Sequence, residues 1–125
     1  MAFNRFISRI SAGKEIEVFG DGEQRRDFTF VKDIVAGNIL ALGAKPGTTY
    51  NVGAGKTIPM NEVISTMESI IGKKARVKRR EVALGDVRNT SADISNISMD
   101  LGYRATTGLA EGLREQVDYQ LALKA

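Results

Sequence analysis

The chain has 125 residues, with 18 Lys and Arg against 15 Asp and Glu, a formal net charge of +3, and neither cysteine nor histidine. That length supports one hydrophobic core, and the missing residue types exclude a disulfide framework, thiolate metal sites and imidazole chemistry, leaving only carboxylates for a metal. No apolar run is long enough to span a bilayer, and Met1 to Phe6 lack the apolar core of a leader peptide, which points to a cytoplasmic protein without membrane contact.

Phe3, Phe6, Ile7 and Ile10 recur at helical spacing and Gly13 follows, so residues 3–12 read as a short amphipathic helix. Ile16, Val18 and Phe19 predict a strand that ends at the Gly20-Asp21-Gly22 turn, and residues 26–30 read as extended. Ile34, Ile39 and Leu42 mark a helix over 33–42, closed by Gly43. Lys45-Pro46-Gly47 is a turn, and Tyr50-Asn51-Val52 a short strand entering a glycine loop. Pro59 opens a helix whose apolar face is Val63, Ile64, Met67, Ile70 and Ile71, ended by Gly72. Arg76, Lys78 and Arg80 alternate as in a strand, with Val77 and Val82 nearby. A last helix spans 109–123, with Leu109, Leu113, Val117 and Leu121 on one side and Arg114 paired with Asp118 on its surface. The fold class is therefore α/β, in a small α+β-like form with mixed short strands and three to four helices, and no repeat or linker divides it.

Two arginine-bearing motifs carry the chemistry: Gly20-Asp21-Gly22-Glu23-Gln24-Arg25-Arg26-Asp27-Phe28-Thr29-Phe30-Val31-Lys32-Asp33, and Gly85-Asp86-Val87-Arg88. A guanidinium matches phosphate oxygens bidentately, and a neighbouring glycine lets backbone close on a ligand, so the pair suits a diphosphate. The other reading is that each Arg and Asp neighbourhood is an ion pair tying a turn together.

Dinucleotide and triphosphate fingerprints fail on inspection. Gly20-Asp21-Gly22-Glu23-Gln24-Arg25 and Gly53-Ala54-Gly55-Lys56-Thr57-Ile58 both lack the third glycine of G-x-G-x-x-G, and Gly55-Lys56-Thr57 lacks the P-loop's first glycine, where Tyr50 stands. The basic cluster Lys73, Lys74, Arg76, Lys78, Arg79 and Arg80 has no interleaved aromatics, so it reads as a charged strand edge that resists pairing rather than as a nucleic-acid site.

The first motif resembles the GDGxxxRDFxxVxD block of the extended short-chain dehydrogenase/reductase family, the NAD-dependent nucleotide-sugar epimerases and dehydratases. Tyr50-Asn51-Val52-Gly53, then Gly85-Asp86-Val87-Arg88-Asn89-Thr90-Ser91-Ala92-Asp93, then Leu101-Gly102-Tyr103 and Glu111-Gly112-Leu113, follow in that family's order. The wording is most similar to the UDP-sugar 4-epimerases. One departure is Arg104-Ala105 after Leu101-Gly102-Tyr103, where the family often has a proline.

The resemblance implies a single carboxy-terminal, substrate-binding domain over residues 1–125, shorter than the family's whole enzymes. It implies that Arg26 and Arg88 contact the diphosphate of a UDP-sugar, that Asp86 lies near the ribose or base, and that Asn51 lines the same site. For Asp86 and Asn51 the alternative is a turn side chain bonding its own backbone. Asp27 is expected to orient Arg26, and Asp33 to cap the helix that follows it. Tyr50 and Tyr103 read as core or rim aromatics.

The family's Tyr-x-x-x-Lys pair is missing, because the residues four after Tyr50, Tyr103 and Tyr119 are Ala54, Thr107 and Leu123. The chain is therefore expected to hold no catalytic residue, no metal and no cofactor alone, NAD belonging to the full-length family, and to be inactive by itself. A separate chain that supplies the NAD-binding half is one candidate partner. The competing expectation is an assembly module that binds no nucleotide and forms a homodimer or domain swap through Phe3, Phe6, Ile7 and Ile34, left without their usual cover.

Overall fold

The computed structural model describes residues 2–82, 85 and 87–123. In chain order these form helix α1 (Ala2–Ser11), strands β1 (Glu15–Phe19) and β2 (Arg25–Arg26), helix α2 (Val31–Ala41), strand β3 (Ile58–Pro59), helix α3 (Met60–Ile71), strand β4 (Arg76–Arg80), and helices α4 (Ser95–Leu101) and α5 (Leu109–Ala122). The mixed α/β class expected from the sequence holds, with α4 added as a fifth helix. Its seven residues carry little periodic signal. Gly102 ends α4 in the left-handed region at φ 67°, with its N–H donating to the Ser98 carbonyl.

The core lies where α1, α3 and α5 pack over one face of β1. Ile16 and Val18 of β1 point inward, against Phe6, Ile7 and Ile10 of α1, Val63, Ile64 and Met67 of α3, and Leu113 and Val117 of α5. Helix α3 forms as its pattern predicts: Pro59 precedes it in extended conformation, and Gly72 closes it at φ 73°, donating to the Glu68 carbonyl. Phe6 and Ile7 are buried, so the expectation that they lack cover is corrected; Phe3 and Ile34 are half-buried.

β4 pairs in parallel with β1, with Glu15 opposite Arg76 and Glu17 opposite Lys78, and all five β4 residues are exposed. Glu17 and Arg80 form an ion pair that holds the Glu17 carboxyl below its ordinary range. β2 and β3 form a second, antiparallel ladder of two residues each. Most of 26–30, expected to be extended, is thus loop.

In α5 the buried residues are Gly112, Leu113, Val117 and Gln120, so the inward stripe is rotated from the Leu109 to Leu121 line. Gln120 is inside because its amide donates to the Asn4 carbonyl at 2.8 Å and to Ser8 Oγ at 2.6 Å on α1. Arg114 and Asp118 do not pair with each other; Lys32 of α2 pairs with Glu115 at 2.7 Å.

Candidate functional site

Residues 25–27 run beside residues 88–92. The Arg25 N–H donates to the Arg88 carbonyl at 2.9 Å, the Thr90 N–H donates to the Arg25 carbonyl at 3.1 Å, and a parallel bridge joins Arg25 to Asn89. The Arg26 guanidinium follows the same line, its Nη1 donating to the carbonyls of Arg25 at 2.9 Å and Arg88 at 3.1 Å. Two arginines separated by 61 residues of chain are thus brought to one strip by backbone pairing.

The Arg88 guanidinium turns toward the Gly20-Asp21-Gly22 turn and reaches Asp21 Oδ2 at 3.3 Å, both side chains being exposed. Asp21 sits below the ordinary carboxylate range, chiefly because it accepts the Glu23 backbone N–H, with Arg88 adding to the effect. An exposed pair of this kind contributes little to stability and opens readily to an anion.

Asn51 stands at the far end of the strip, where its Nδ2 donates to the Asp93 carbonyl at 3.3 Å. Its bond therefore crosses to a distant segment rather than returning to its own turn. Asp86 lies outside the described residues.

The bonds of the Asp27 carboxylate go to the surrounding segments rather than to the Arg26 guanidinium. Asp27 Oδ1 accepts the Ala54 N–H at 2.9 Å and the Thr29 hydroxyl at 2.9 Å, and its Oδ2 accepts the N–H groups of Gly55 at 3.1 Å and Ala92 at 3.3 Å. Asp33 likewise does not cap α2, whose N-cap residue is Phe30. Its buried carboxylate reaches across to accept the Thr106 N–H at 2.9 Å, the Thr106 hydroxyl at 3.1 Å and the Thr107 N–H at 3.2 Å, pinning the approach to α5. Burial by itself would raise the Asp33 carboxyl; the threonine donors outweigh it and hold it below the usual range.

Tyr103 is a core aromatic, as expected, and its hydroxyl donates to the Gly53 carbonyl at 2.9 Å. Burial pushes its pKa up. Tyr50 sits at the rim and donates to Asp100 at 3.0 Å.

Arg25 was not singled out by its motif, yet it holds the site's frame. Its Nε and Nη2 reach Thr57 Oγ1 at 3.1 Å and the Thr57 carbonyl at 2.8 Å, while its backbone pairs with the 88–90 segment. The Arg25-Arg26 repeat carried no signal of which arginine faces which segment.

Neither glycine turn is shaped for the NAD that the family implies. A Cβ on Gly22 would stand 2.1 Å from Asn61 Oδ1, and one on Gly53 would stand 2.6 Å from Ala92 Cβ and 2.8 Å from Asp27 Oδ2. Those close approaches are filled by the chain itself. The Ala54 and Gly55 amides, which in a phosphate loop would face the ligand, are taken by the Asp27 carboxylate. The turns also lead into β2 and β3 rather than directly into a helix, and the first amides of α3, at Met60 and Asn61, are taken by the Gln24 and Gly22 carbonyls.

A cleft of about 750 Å³ opens between α1, the 27–31 loop and α5, lined by Phe3, Phe28, Phe30, Val31, Leu109 and Tyr119 among others. Phe3 and Phe28 pack within it in a tilted pair, their ring centroids 4.8 Å apart and their planes at 42°. Val31 continues this apolar surface onto α2, where Val35, Ile39 and Leu42 are also exposed.

The fold that carries these residues is similar to part of known UDP-sugar epimerases. The sequence profile of the NAD dependent epimerase/dehydratase family matches residues 1–53. The chain is 38% identical over 126 residues to the uncharacterized UDP-glucose epimerase YtcB of Bacillus subtilis, covering 98% of this chain and 40% of that protein. It is 38% identical over 120 residues to the UDP-glucuronate 4-epimerase of Thermodesulfobacterium geofontis, covering 95% of this chain and 37% of the relative. Among solved structures, the UDP-glucuronic acid 4-epimerase of Bacillus cereus in complex with UDP-glucuronic acid and NAD superposes with a TM-score of 0.91 at 36% identity, over 98% of this chain and 40% of the other. The UDP-glucose 4-epimerase of Thermotoga maritima, with UDP-glucose, gives 0.93 at 29% identity, over 100% of this chain and 40% of that one.

Residues 1–53 thus match the NAD dependent epimerase/dehydratase family, and the relatives similar to the chain over almost its whole length are UDP-sugar epimerases. The chain spans about 40% of the length of the relatives it matches.

Proposed function

We propose that this chain is the carboxy-terminal, substrate-gripping domain of a UDP-sugar epimerase or dehydratase, with Arg26 and Arg88 holding the diphosphate and Asn51 lying further along the same site. The observation that carries this reading is the 3.1 Å bond from Arg26 Nη1 to the Arg88 carbonyl, which seats both cations on one strip. A diphosphate approaching the strip would compete with Asp21 for the Arg88 guanidinium, an exchange that favours the doubly charged ligand.

The chemistry of the whole enzymes, in which a tyrosinate takes the hydroxyl proton and NAD the hydride, needs groups this chain does not contain. Its own residues bind and orient. The NAD-binding half would cover the apolar cleft and the outer face of α2, whether it comes from the same polypeptide or from a separate chain.

Calorimetric titration with UDP and UDP-N-acetylglucosamine tests the reading. Saturable binding that Arg26→Ala and Arg88→Ala each weaken about tenfold is expected, as for loss of a charge-assisted bond. Absence of binding by the folded chain would sink it. Epimerisation of a UDP-sugar by the chain alone with NAD would refute the division of labour.

A second reading, self-association without nucleotide binding, is favoured by the exposure of Val31 (63%), Ile39 (62%) and Leu42 (87%) along one side of α2. Sedimentation that stays monomeric at every concentration would count against it.

A further inference from the structure

We infer that Asp27 is a positioning residue that fixes the spacing between Arg26 and Arg88, an inference that rests on the diphosphate reading for its functional meaning and on geometry alone for its structural one. Three chain segments meet at this one carboxylate. Asp27 follows Arg26 directly, the Gly53 loop donates to it through the Ala54 and Gly55 amides, and the segment that begins at Arg88 donates to it through the Ala92 amide.

The 88–92 segment is thereby held at both ends. Arg25 and Arg26 hold its start, through the bonds of their backbone N–H and guanidinium to the Arg88 carbonyl, and Asp27 holds its finish at Ala92. Without the second attachment the segment could pivot about Arg88, whose side chain, among the described residues, is steadied by an exposed bond to Asp21. The Gly53 loop is fixed in turn by the buried Tyr103 hydroxyl on the Gly53 carbonyl, so the carboxylate is braced against the core rather than against another loop. Thr29 completes the shell, donating to Asp27 Oδ1 and accepting the Ala54 N–H at 3.0 Å.

Close packing makes this clamp sensitive to small changes. Gly53 lies so near that a Cβ there would stand 2.8 Å from Asp27 Oδ2 and 2.6 Å from Ala92 Cβ. A carboxylate is also the group the clamp needs. It presents acceptors on both oxygens to four donors, whereas an amide in its place must turn a donor toward some of them.

The test uses the ¹⁵N-labelled chain, with Asp27→Asn compared against wild type by amide hydrogen exchange and by the side-chain Nε–H signals of Arg26 and Arg88, followed by titration with UDP. The expected result has three parts. Exchange at Ala54, Gly55 and Ala92 quickens about tenfold or more while core amides such as Val63 and Met67 stay protected. Both arginine signals move without ligand, and UDP binds about tenfold more weakly.

Unchanged arginine signals alongside lost amide protection would overturn the inference, as would an unchanged UDP affinity in a wild type that binds. Gly53→Ala forces the same clamp open while keeping the carboxylate, so it decides the matter if Asp27→Asn does not fold, and it should move the same two signals. Asp33→Asn, a comparable clamp at Thr106 and Thr107, should leave them in place; movement as large as that from Asp27→Asn would reduce the effect to general loosening and overturn the proposal. If wild type does not bind UDP, the diphosphate reading falls, while the arginine signals still decide whether Asp27 positions them.

Discussion

Helices α2 and α3 have nearly the same length and similar apolar content, yet they use it in opposite ways. α3 turns Val63, Ile64 and Met67 into the core, with Met67 fully buried. α2 buries Asp33 and Gly37 and leaves Val31, Val35, Ile39 and Leu42 exposed. The inner face of α2 is built for close approach: a Cβ on Gly37 would lie 2.7 Å from Val52 Cγ1, and Asp33 is spent on the threonine amides before α5. The difference teaches that apolar residues on a helix mark a surface to be covered, and that the cover need not come from the same core.

The largest expected effect comes from cutting the core helix. Met67→Ala should cost about 3 kcal/mol in denaturant unfolding, whereas Ile39→Ala on the exposed face should cost less than about 0.5 kcal/mol. Equal costs would mean that α2 is covered in solution, and a concentration-dependent midpoint for wild type would then identify a second copy as the cover.

Next in size is the buried carboxylate of α2. Asp33→Ala should destabilise by about 2 kcal/mol, since it strands the Thr106 and Thr107 donors. Because the folded carboxyl sits below its ordinary value, its ionised form contributes stability at neutral pH; that contribution should fade as pH falls below the unfolded value of about 3.9 toward the folded one. The stability gap between wild type and Asp33→Asn should therefore be full at neutral pH and close on acidification, and a gap that widens in acid would contradict the assignment.

A smaller change sharpens the comparison from outside. Val35→Glu combined with Ile39→Glu should leave unfolding within about 0.5 kcal/mol of wild type. If α2 is a contact face, the same pair should lower any self-association seen in sedimentation. The smallest effect belongs to the ion pair linking α2 to α5: Lys32→Ala should shift stability by less than about 0.5 kcal/mol and lose even that in high salt, because both side chains are exposed.

Much of this was legible in the residues. Val63, Ile64 and Met67 declared α3, Pro59 and Gly72 its ends, and the alternation of Arg76, Lys78 and Arg80 the charged edge strand. Those features are local, decided by periodicity and by the dihedrals that proline and glycine allow. In α5 the expected Leu113 and Val117 are inside, but Gln120 takes the place of Leu121, because its amide donates to acceptors on α1 that no local pattern announces. Asp27 and Asp33 read as structural from their neighbours, but their partners lie across the fold, at Ala92 and at Thr106, where no local pattern points, and Asp33 in particular caps no helix.

By itself, then, the sequence determined which segments form the four longer helices, which residue types can grip an anion, and which catalytic motifs this chain lacks. Only the tertiary structure decided that Arg26 and Arg88 share one strip, that Asp27 rather than an open glycine loop occupies the Ala54 and Gly55 amides, and that the apolar face of α2 looks outward. The physical reason is range: helix periodicity and turn chemistry act over a few residues, whereas each of these placements depends on hydrogen bonds or packing between segments tens of residues apart.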